Sequence, residues 1–137
     1  MQPMSDSRSS FSVLQNAKLY GILDLGYVLP ERVENMTEAL CEGGVDLLQL
    51  RAKKLNAAEV EKLALRILPI TRALGVPLII NDHLQVAAAV GSEGVHVGQD
   101  DEAVARARAV VGPDVFVGKS THSLDQACAA ADEQVDY

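Results

Sequence analysis

Short apolar runs alternate along the chain with longer segments in which apolar residues recur at i, i+3, i+4 and i+7. A short run bounded by Gly, Pro or polar residues is typical of a buried strand, and the longer spacing is typical of a helix with one buried face. Five strands are predicted, at residues 18–24, 45–50, 77–80, 94–97 and 115–117. Helices are predicted to follow them at residues 31–42, 57–74, 84–90, 102–111 and 124–131. The chain is therefore read as five βα units, and residues 135–137 look like the start of a sixth strand.

Local signals support several of these boundaries. Gly43 and Gly44 follow the first predicted helix, and Ser123 with Gln126 three residues later predicts a capped start for the last one. Pro69 lies inside the second predicted helix and removes one backbone donor, so we expect a kink or an interruption there.

Alternating strands and helices predict a parallel sheet with right-handed crossovers, either an open doubly wound sheet or a (β/α)8 barrel. The first turn, Asp24-Leu25-Gly26-Tyr27, lacks the Gly-x-Gly-x-x-Gly pattern of a dinucleotide fold. Polar segments follow four successive strands, which favours a barrel with its site at one mouth. The predicted fold class is thus α/β, in the TIM-barrel family. Residues 17–137 would hold about the first five units and the start of strand six, after a polar, Ser-rich lead-in at 1–16 that we expect to be disordered.

Composition and charge limit the possible partners. The chain is 48% hydrophobic and 23% charged, and its net charge of −7 argues against a nucleic-acid partner, because the phosphate backbone demands a basic face. The N-terminal segment has no apolar stretch long enough for a signal peptide or a membrane span. Cys41 and Cys128 lie far apart and are predicted to be buried thiols. We therefore expect a cytoplasmic protein with no membrane partner.

Four polar segments, each directly after an apolar run, carry the candidate chemistry. They are residues 49–53, 81–82, 96–101 and 118–123. Between them they supply cations, oxygen ligands for a metal, and hydroxyl and amide donors, which are the groups that a pyrophosphate with Mg²⁺ needs. Carboxyl ends of successive parallel strands meet at one mouth of a barrel, so the four segments predict a single site.

The first segment, Gln49-Leu50-Arg51-Ala52-Lys53, continues a strand in which alternate side chains point to the same side. Alternation places Gln49, Arg51 and Lys53 together, and an arginine fork with a lysine charge suits pyrophosphate oxygens. The plainer interpretation is a solvated cluster of charges in a loop.

Two carboxylates, Asp82 and Asp101, follow neighbouring strands and could hold Mg²⁺ together with substrate phosphate oxygens. Each also fits a common structural role as a turn residue or helix N-cap. His96 lies in a buried strand and is more simply explained as a hydrogen-bonded core histidine. Ser120 follows a strand and a glycine and could donate its hydroxyl to a phosphate.

In order, the segments Leu-Tyr-Gly-Ile-Leu-Asp, Gln-Leu-Arg-Ala-Lys, Ile-Ile-Asn-Asp, Gly-Val-His-Val-Gly-Gln-Asp-Asp and Gly-Lys-Ser-Thr-His-Ser resemble the thiamine-phosphate synthase family. The resemblance runs from about residue 19 to residue 137. It implies a transferase that joins hydroxymethylpyrimidine diphosphate to thiazole phosphate and releases pyrophosphate. The implied mechanism is dissociative: the C–O bond ionises to a pyrimidine cation, which the thiazole nitrogen then attacks.

The resemblance also implies roles for individual residues. Asp82 and Asp101 would hold Mg²⁺. Arg51, Lys53 and Ser120 would be the catalytic residues, the two cations by stabilising the departing pyrophosphate. Substrate contacts would come from Gln49, Leu50, Arg51, Ala52, Lys53, Asn81 and Ser120.

Family members continue for several more strands, which carry a further diphosphate lysine and the thiazole-phosphate loops. As a monomer these 137 residues are therefore expected to be inactive and poorly soluble, and to pair their open sheet edges with a second copy or to aggregate. Apolar surface on the strands of Leu48, Leu50 and Ile80 would then be open to water. Two alternatives are a thiazole tautomerase-like relative that uses His122, and a non-catalytic half-barrel that binds phosphate ligands or self-associates.

Overall fold

The structure, a computed structural model, describes residues 7–100 and 102–137. Its strands are β1 (Tyr20–Asp24), β2 (Leu47–Arg51), β3 (Leu78–Asn81), β4 (Gly94–Val97) and β5 (Phe116–Lys119). Its helices are α1 (Ser7–Asn16), α2 (Val33–Glu42), α3 (Ala57–Ala73), α4 (Leu84–Val90), α5 (Ala103–Val111) and α6 (Leu124–Ala131). A 3-10 turn, Pro30–Arg32, leads into α2. The predicted bounds of α4, β4 and α6 are confirmed, and the other strands and helices from β1 onward differ from prediction by one or two residues at one or both ends.

All strands run parallel, and their order in the sheet is the order in the chain, β1-β2-β3-β4-β5. An open doubly wound sheet reverses its strand order at a switch point, whereas a barrel adds each new strand on the same side. The sequential order therefore confirms the α/β architecture predicted from the sequence and is that of a barrel wall.

The main hydrophobic core lies between the outer face of the sheet and the helices. Leu50, Ile80, Val95 and Val117 are register partners across four strands, and each is at most 1% exposed. Leu48 is fully buried on the same face. The expectation that apolar surface would be open around Leu48, Leu50 and Ile80 is therefore wrong for these side chains, because the helices cover them.

The inner face of the sheet is covered unevenly. Ile79 and Phe116 are buried there, while Ile22, one strand beyond Gln49 in register, is 53% exposed. Gly94 lies between Ile79 and Phe116, and a Cβ atom at this position would come within 2.5 Å of Ile79 Cδ1. A glycine here lets two large side chains close over the strand, whereas the β1 end of the same face stays open to solvent.

Residues 136 and 137 lie along β5 where the sixth strand is predicted to begin. The Asp136 backbone N–H donates to the Val117 carbonyl (2.8 Å), and the Lys119 N–H donates to the Tyr137 carbonyl (3.1 Å). This pairing brings the Tyr137 side chain onto the inner face of the sheet, against Gly118.

The N-terminal segment differs from the predicted disorder, because α1 occupies Ser7–Asn16. Leu14 is half-buried, and the Asn16 side chain donates to the Ser12 carbonyl one turn earlier (2.7 Å). Residues 1–6 of the predicted lead-in lie outside the described residues.

Two further expectations need correction. Cys128 is exposed rather than buried, because the one buried residue of α6 is Ala130; Cys41 is buried as predicted, and both thiols are free. Helix α3 continues through Pro69, so of the kink or interruption expected there, the interruption does not occur. In the part of the chain that the structure describes, no helix has the length and apolar character needed to cross a membrane.

Candidate functional site

Polar side chains collect at the edge where the parallel strands end. Asp24, Arg51 and Asn81 are the last residues of β1, β2 and β3, while Gln99 and Ser120 follow β4 and β5. The predicted segments are therefore brought together at one edge of the sheet, as the barrel architecture requires.

The β1 and β2 ends form the cationic part of this edge. Arg51 is half-buried, with its Nε 3.5 Å from Asp24 Oδ2, and the other Asp24 oxygen accepts from the Gly26 N–H (2.8 Å). Lys53 lies exposed in the turn after β2. Arg51, Lys53 and Lys54 line a hollow of about 370 Å³, so their charges are open to an incoming anion.

Side chains of the segment 49–53 divide between two faces. Gln49, only 4% exposed, and Arg51 lie on the inner side, as alternation along a strand predicts. Leu50 and Ala52 belong to the hydrophobic core beneath the helices. Only backbone atoms of Leu50 and Ala52 are therefore available for the substrate contacts that the resemblance implies.

Asp82 introduces a carboxylate at the end of β3 in an unusual backbone conformation. Its φ of 66° lies in the left-handed region, which non-glycine residues adopt rarely and often at functional sites. Its N–H donates to the His96 carbonyl (2.9 Å), and the Asn81 amide donates to its Oδ2 (3.1 Å). The exposed carboxylate lines a hollow of about 280 Å³ together with Gln99 and Asp100.

Asp101, the second predicted metal ligand, lies outside the described residues, so the carboxylate pair stays a prediction. Its neighbour Asp100 accepts from the Glu102 N–H (3.0 Å) and pairs with Arg106, and these contacts hold the Asp100 pKa below its usual value. Across residues 7–100 and 102–137, no three carboxylate, imidazole or thiol groups converge as a ready metal cage. Metal binding there would thus depend on ligand oxygens as well as on protein carboxylates.

Five polar side chains form a continuous hydrogen-bonded row on the inner face, which we name the inner-face network. Gln49 Nε2 donates to the Tyr20 hydroxyl (3.0 Å), and the Tyr20 and Tyr137 hydroxyls are 2.6 Å apart. Tyr137 Oη lies 3.3 Å from His96 Nδ1, and His96 Nε2 lies 2.7 Å from Ser120 Oγ. Gln49 and Ser120, predicted separately as substrate contacts, are therefore the two ends of one row.

Burial sets the charge state of this network. It lowers the pKa of His96, an effect that the Asp82 charge opposes and the Arg51 charge reinforces. Burial also raises the pKa of both Tyr20 and Tyr137. At neutral pH the imidazole is therefore neutral and both phenols are protonated.

The sequence interpretation found only part of the network. His96 is hydrogen-bonded as predicted, but it belongs to the site and not only to the core. Tyr20 could have been found, because it shares the period-two face of β1 with Ile22 and Asp24. Tyr137 had no local signal, since its place depends on pairing with β5.

The residues of the segment that follows β5 have different roles. The Ser120 N–H donates to the Val97 carbonyl (3.0 Å), and the Gln99 side chain donates to the Ser120 carbonyl. Ser123 caps α6 by accepting from the Gln126 N–H (3.2 Å), which confirms its predicted structural role. His122 is exposed. Ser120 is thus held at the site by the end of β4 and the residues that follow it.

Comparison with known proteins places the whole βα region in one family. The family model described as thiamine monophosphate synthase matches residues 19–137. The thiamine-phosphate synthase of Caldanaerobacter subterraneus is 40% identical over 119 residues, covering 87% of this chain and 56% of that protein. The Shouchella clausii thiamine-phosphate synthase is 45% identical over 105 residues, covering 77% and 50%.

A solved structure supports the same assignment. Thiamine phosphate pyrophosphorylase from Pyrococcus furiosus superposes with a TM-score of 0.77 at 29% identity, covering 91% of this chain and 60% of that one. The chain spans between about half and three-fifths of the length of these relatives.

Proposed function

The chain belongs to the thiamine monophosphate synthase family, and we propose that it forms the diphosphate-binding part of a thiamine-phosphate synthase. This enzyme would join hydroxymethylpyrimidine diphosphate to thiazole phosphate and release pyrophosphate. The relatives that the chain matches carry synthase names, which does not favour the tautomerase-like alternative. We propose that this enzyme acts in the cytoplasm, where free thiols such as those of this chain stay reduced.

One observation carries the proposal: Arg51 and Lys53 line a hollow at the same sheet edge that presents the Asp82 carboxylate and Ser120. A departing pyrophosphate gains negative charge as the C–O bond ionises, and preorganised cations aimed at that charge lower the barrier. Arg51, Lys53 and Asp82 hold charge rather than form covalent bonds, which suits a dissociative reaction.

Asp82 provides the donor chemistry that Mg²⁺ requires. Its carboxylate is exposed beside a hollow, held by Asn81, and free of any ion pair among the described residues. We propose that Asp82 and Asp101 hold the metal, with substrate phosphate oxygens completing the ligand set. When bound, Mg²⁺ would stabilise charge on the departing pyrophosphate as a Lewis acid.

Each of the chain's own site residues would have a separate role. Arg51 would offer two parallel N–H donors to diphosphate oxygens, and Lys53 a mobile point charge at the rim. Asn81 would orient the Asp82 carboxylate. Gln49 and Ser120, at the two ends of the inner-face network, would meet polar atoms of the pyrimidine substrate.

Binding of magnesium pyrophosphate, measured by isothermal titration calorimetry, tests the charge-holding role. Replacing Arg51 or Lys53 by Ala should weaken binding about tenfold or more, because each removes a charge-assisted contact of roughly 1.5–3 kcal/mol. Lys62→Ala, an exposed lysine on α3 away from this edge, is the matched control and should leave the affinity unchanged. Equal affinity for all four proteins would contradict the proposal.

A second experiment addresses the metal and the reaction. Asp82→Asn keeps the shape of the side chain but removes its charge, so it should abolish the dependence of pyrophosphate binding on Mg²⁺ concentration. An assay of thiamine phosphate formation with both substrates, in a protein containing these residues and the remaining strands of the barrel, distinguishes an enzyme from a binding module. Full activity of the Asp82 variant without added metal would exclude the magnesium assignment.

A further inference from the structure

Each hydrogen bond of the inner-face network has a donor and an acceptor, so the row as a whole runs in one donor-to-acceptor direction. We propose that the Gln49 amide sets this direction, so that neutral His96 carries its proton on Nε2 and Ser120 turns its hydroxyl hydrogen toward the ligand. Gln49, Tyr20, Tyr137 and His96 are then positioning residues for Ser120. Only the identity of the ligand rests on the proposed function; the proton arrangement does not.

The argument starts at the most buried end of the network. Gln49 is 4% exposed, and its Nε2 lies 3.0 Å from the Tyr20 hydroxyl. An amide nitrogen can only donate, so the Tyr20 oxygen must accept this hydrogen bond.

Tyr20 then has its own hydroxyl hydrogen to place. The Tyr137 oxygen, 2.6 Å away, is its acceptor. With its oxygen already accepting, Tyr137 directs its hydrogen to His96 Nδ1 at 3.3 Å. An imidazole nitrogen that accepts carries no hydrogen, so the proton of the neutral ring must be on Nε2.

At the far end, His96 Nε2–H donates to Ser120 Oγ over 2.7 Å. The serine hydrogen is thereby left for an acceptor atom outside the network. The opposite direction would require Tyr20 to accept from both Gln49 and Tyr137. Among the described residues no other acceptor is bonded to the Tyr20 hydroxyl, so its hydrogen would be left unpaired in a partly buried position, which is costly.

The position of the imidazole proton can be measured directly by long-range ¹H–¹⁵N NMR at about pH 8, where histidine is neutral. His96 should show a protonated Nε2 and an unprotonated Nδ1. His83 and His122, outside the network, provide internal reference signals, and His96→Gln identifies the resonances of His96 by their loss. A predominantly Nδ1-protonated His96 overturns the proposal.

Reversing the donor at the start of the network gives the sharpest test. Gln49→Glu replaces the amide donor by a carboxylate that only accepts, so each hydrogen bond should reverse and His96 should become protonated on Nδ1. Gln85→Glu, at an exposed position of α4, adds the same charge elsewhere and should leave the His96 signals unchanged. A folded Gln49→Glu protein that keeps the Nε2 proton would also overturn the proposal.

Two milder variants keep the test decisive if the buried carboxylate prevents folding. Tyr20→Phe removes the donor to Tyr137, and the His96 signals should then move toward a mixture of both tautomers. Ser120→Ala should leave the proton on Nε2, because the direction is set from the Gln49 end. An unchanged spectrum in the first variant, or a changed tautomer in the second, counts against the proposal. None of these measurements uses a substrate, so their failure is separate from failure of the proposed enzyme activity.

Discussion

The ring of His96 lies between two hydroxyl groups, with Nε2 2.7 Å from Ser120 and Nδ1 3.3 Å from Tyr137. Burial disfavours the charged imidazole, and Arg51 adds to this effect against the opposing charge of Asp82. A neutral ring can donate at one nitrogen and accept at the other, while a protonated ring only donates. The site thus depends on a histidine that stays uncharged.

This charge state predicts how stability varies with pH. Because the folded protein lowers the His96 pKa below its unfolded value of about 6.5, the unfolded chain binds more protons just below that pH. The stabilisation from His96 is therefore fully present above about pH 6.5 and is lost as the pH falls toward the folded pKa. Urea unfolding of the wild type and of His96→Gln should show the wild-type advantage shrinking as the pH falls from about 7.5 to 5.5.

NMR titration of the His96 ring gives an independent check, with a midpoint expected below about 6.5. A midpoint above that value, together with a constant difference in unfolding free energy between the two proteins, would show that the ring is not held neutral.

At the same scale, the sequence predicted side chains whose role is local. Gln49 and Arg51 follow from alternation along β2, and Ser123 from the chemistry of helix caps. Tyr137 could not be found in this way, because its hydroxyl meets that of Tyr20 across 117 positions of sequence. Asp82 was found as a carboxylate, but its left-handed φ and its N–H bond to the His96 carbonyl on the neighbouring strand were not predicted.

Among the elements, α5 fixes a segment that lies beyond it in the chain. Arg108 donates to the Asp136 carboxylate (2.7 Å) and to the Gln134 carbonyl (2.8 Å), and its other nitrogen donates to the Val115 carbonyl (2.6 Å). Arg108 therefore joins α5, β5 and residues 134–136. Its effect on Tyr137 is indirect and passes through these preceding residues.

Arg108→Ala should therefore loosen residues 134–137 while leaving the rest of the sheet intact. The Asp136 N–H, bonded to Val117, and the Lys119 N–H, bonded to Tyr137, should exchange about tenfold faster or more, as expected for losing charged hydrogen bonds worth roughly 1.5–3 kcal/mol. Hydrogen exchange followed by NMR measures this, with amides of the β2–β3 pairing as the unaffected reference.

Arg106→Ala is the matched control on the same helix. Its ion pair with Asp100 is more than half exposed on both sides, so its loss should have little effect on exchange along β5. Equal acceleration in both variants would mean that the whole of α5, and not the Arg108 contacts, determines the order of the terminal segment.

The type of each element was predictable, because hydrophobic periodicity and the Gly, Pro and capping residues at element ends are local signals that span only a few residues. The bounds of α4, β4 and α6 follow from their apolar runs and flanking Gly and Ser residues. The burial of individual side chains was harder to predict, because it depends on what covers each face of a helix or strand. The exposed Cys128 on α6 shows that an apolar helix stripe does not by itself specify a partner surface.

For the whole molecule, coverage of the two sheet faces is unequal. The outer face is closed by helices, with Leu50, Ile80 and Val117 almost fully buried. On the inner side Ile22 is 53% exposed, and Leu19, just before the edge strand β1, is 51% exposed. An edge strand with apolar neighbours is a surface on which another chain can pair.

We therefore expect these 137 residues, purified alone, to self-associate through the β1 edge and the open inner face, with Ile22→Lys shifting the protein toward monomer in sedimentation velocity measurements. Leu65→Lys is a closely matched control, because Leu65 is 54% exposed but lies on α3, on the helical side of the sheet. A scattered apolar residue of that kind is ordinary on a protein surface, whereas Ile22 belongs to a sheet face that a closed barrel would bury. The control should associate like the wild type, since a charge on the helical side leaves the edge strand unchanged. A wild type that sediments as a monomer at all concentrations, or equal dissociation by both substitutions, would show that the open face does not drive association.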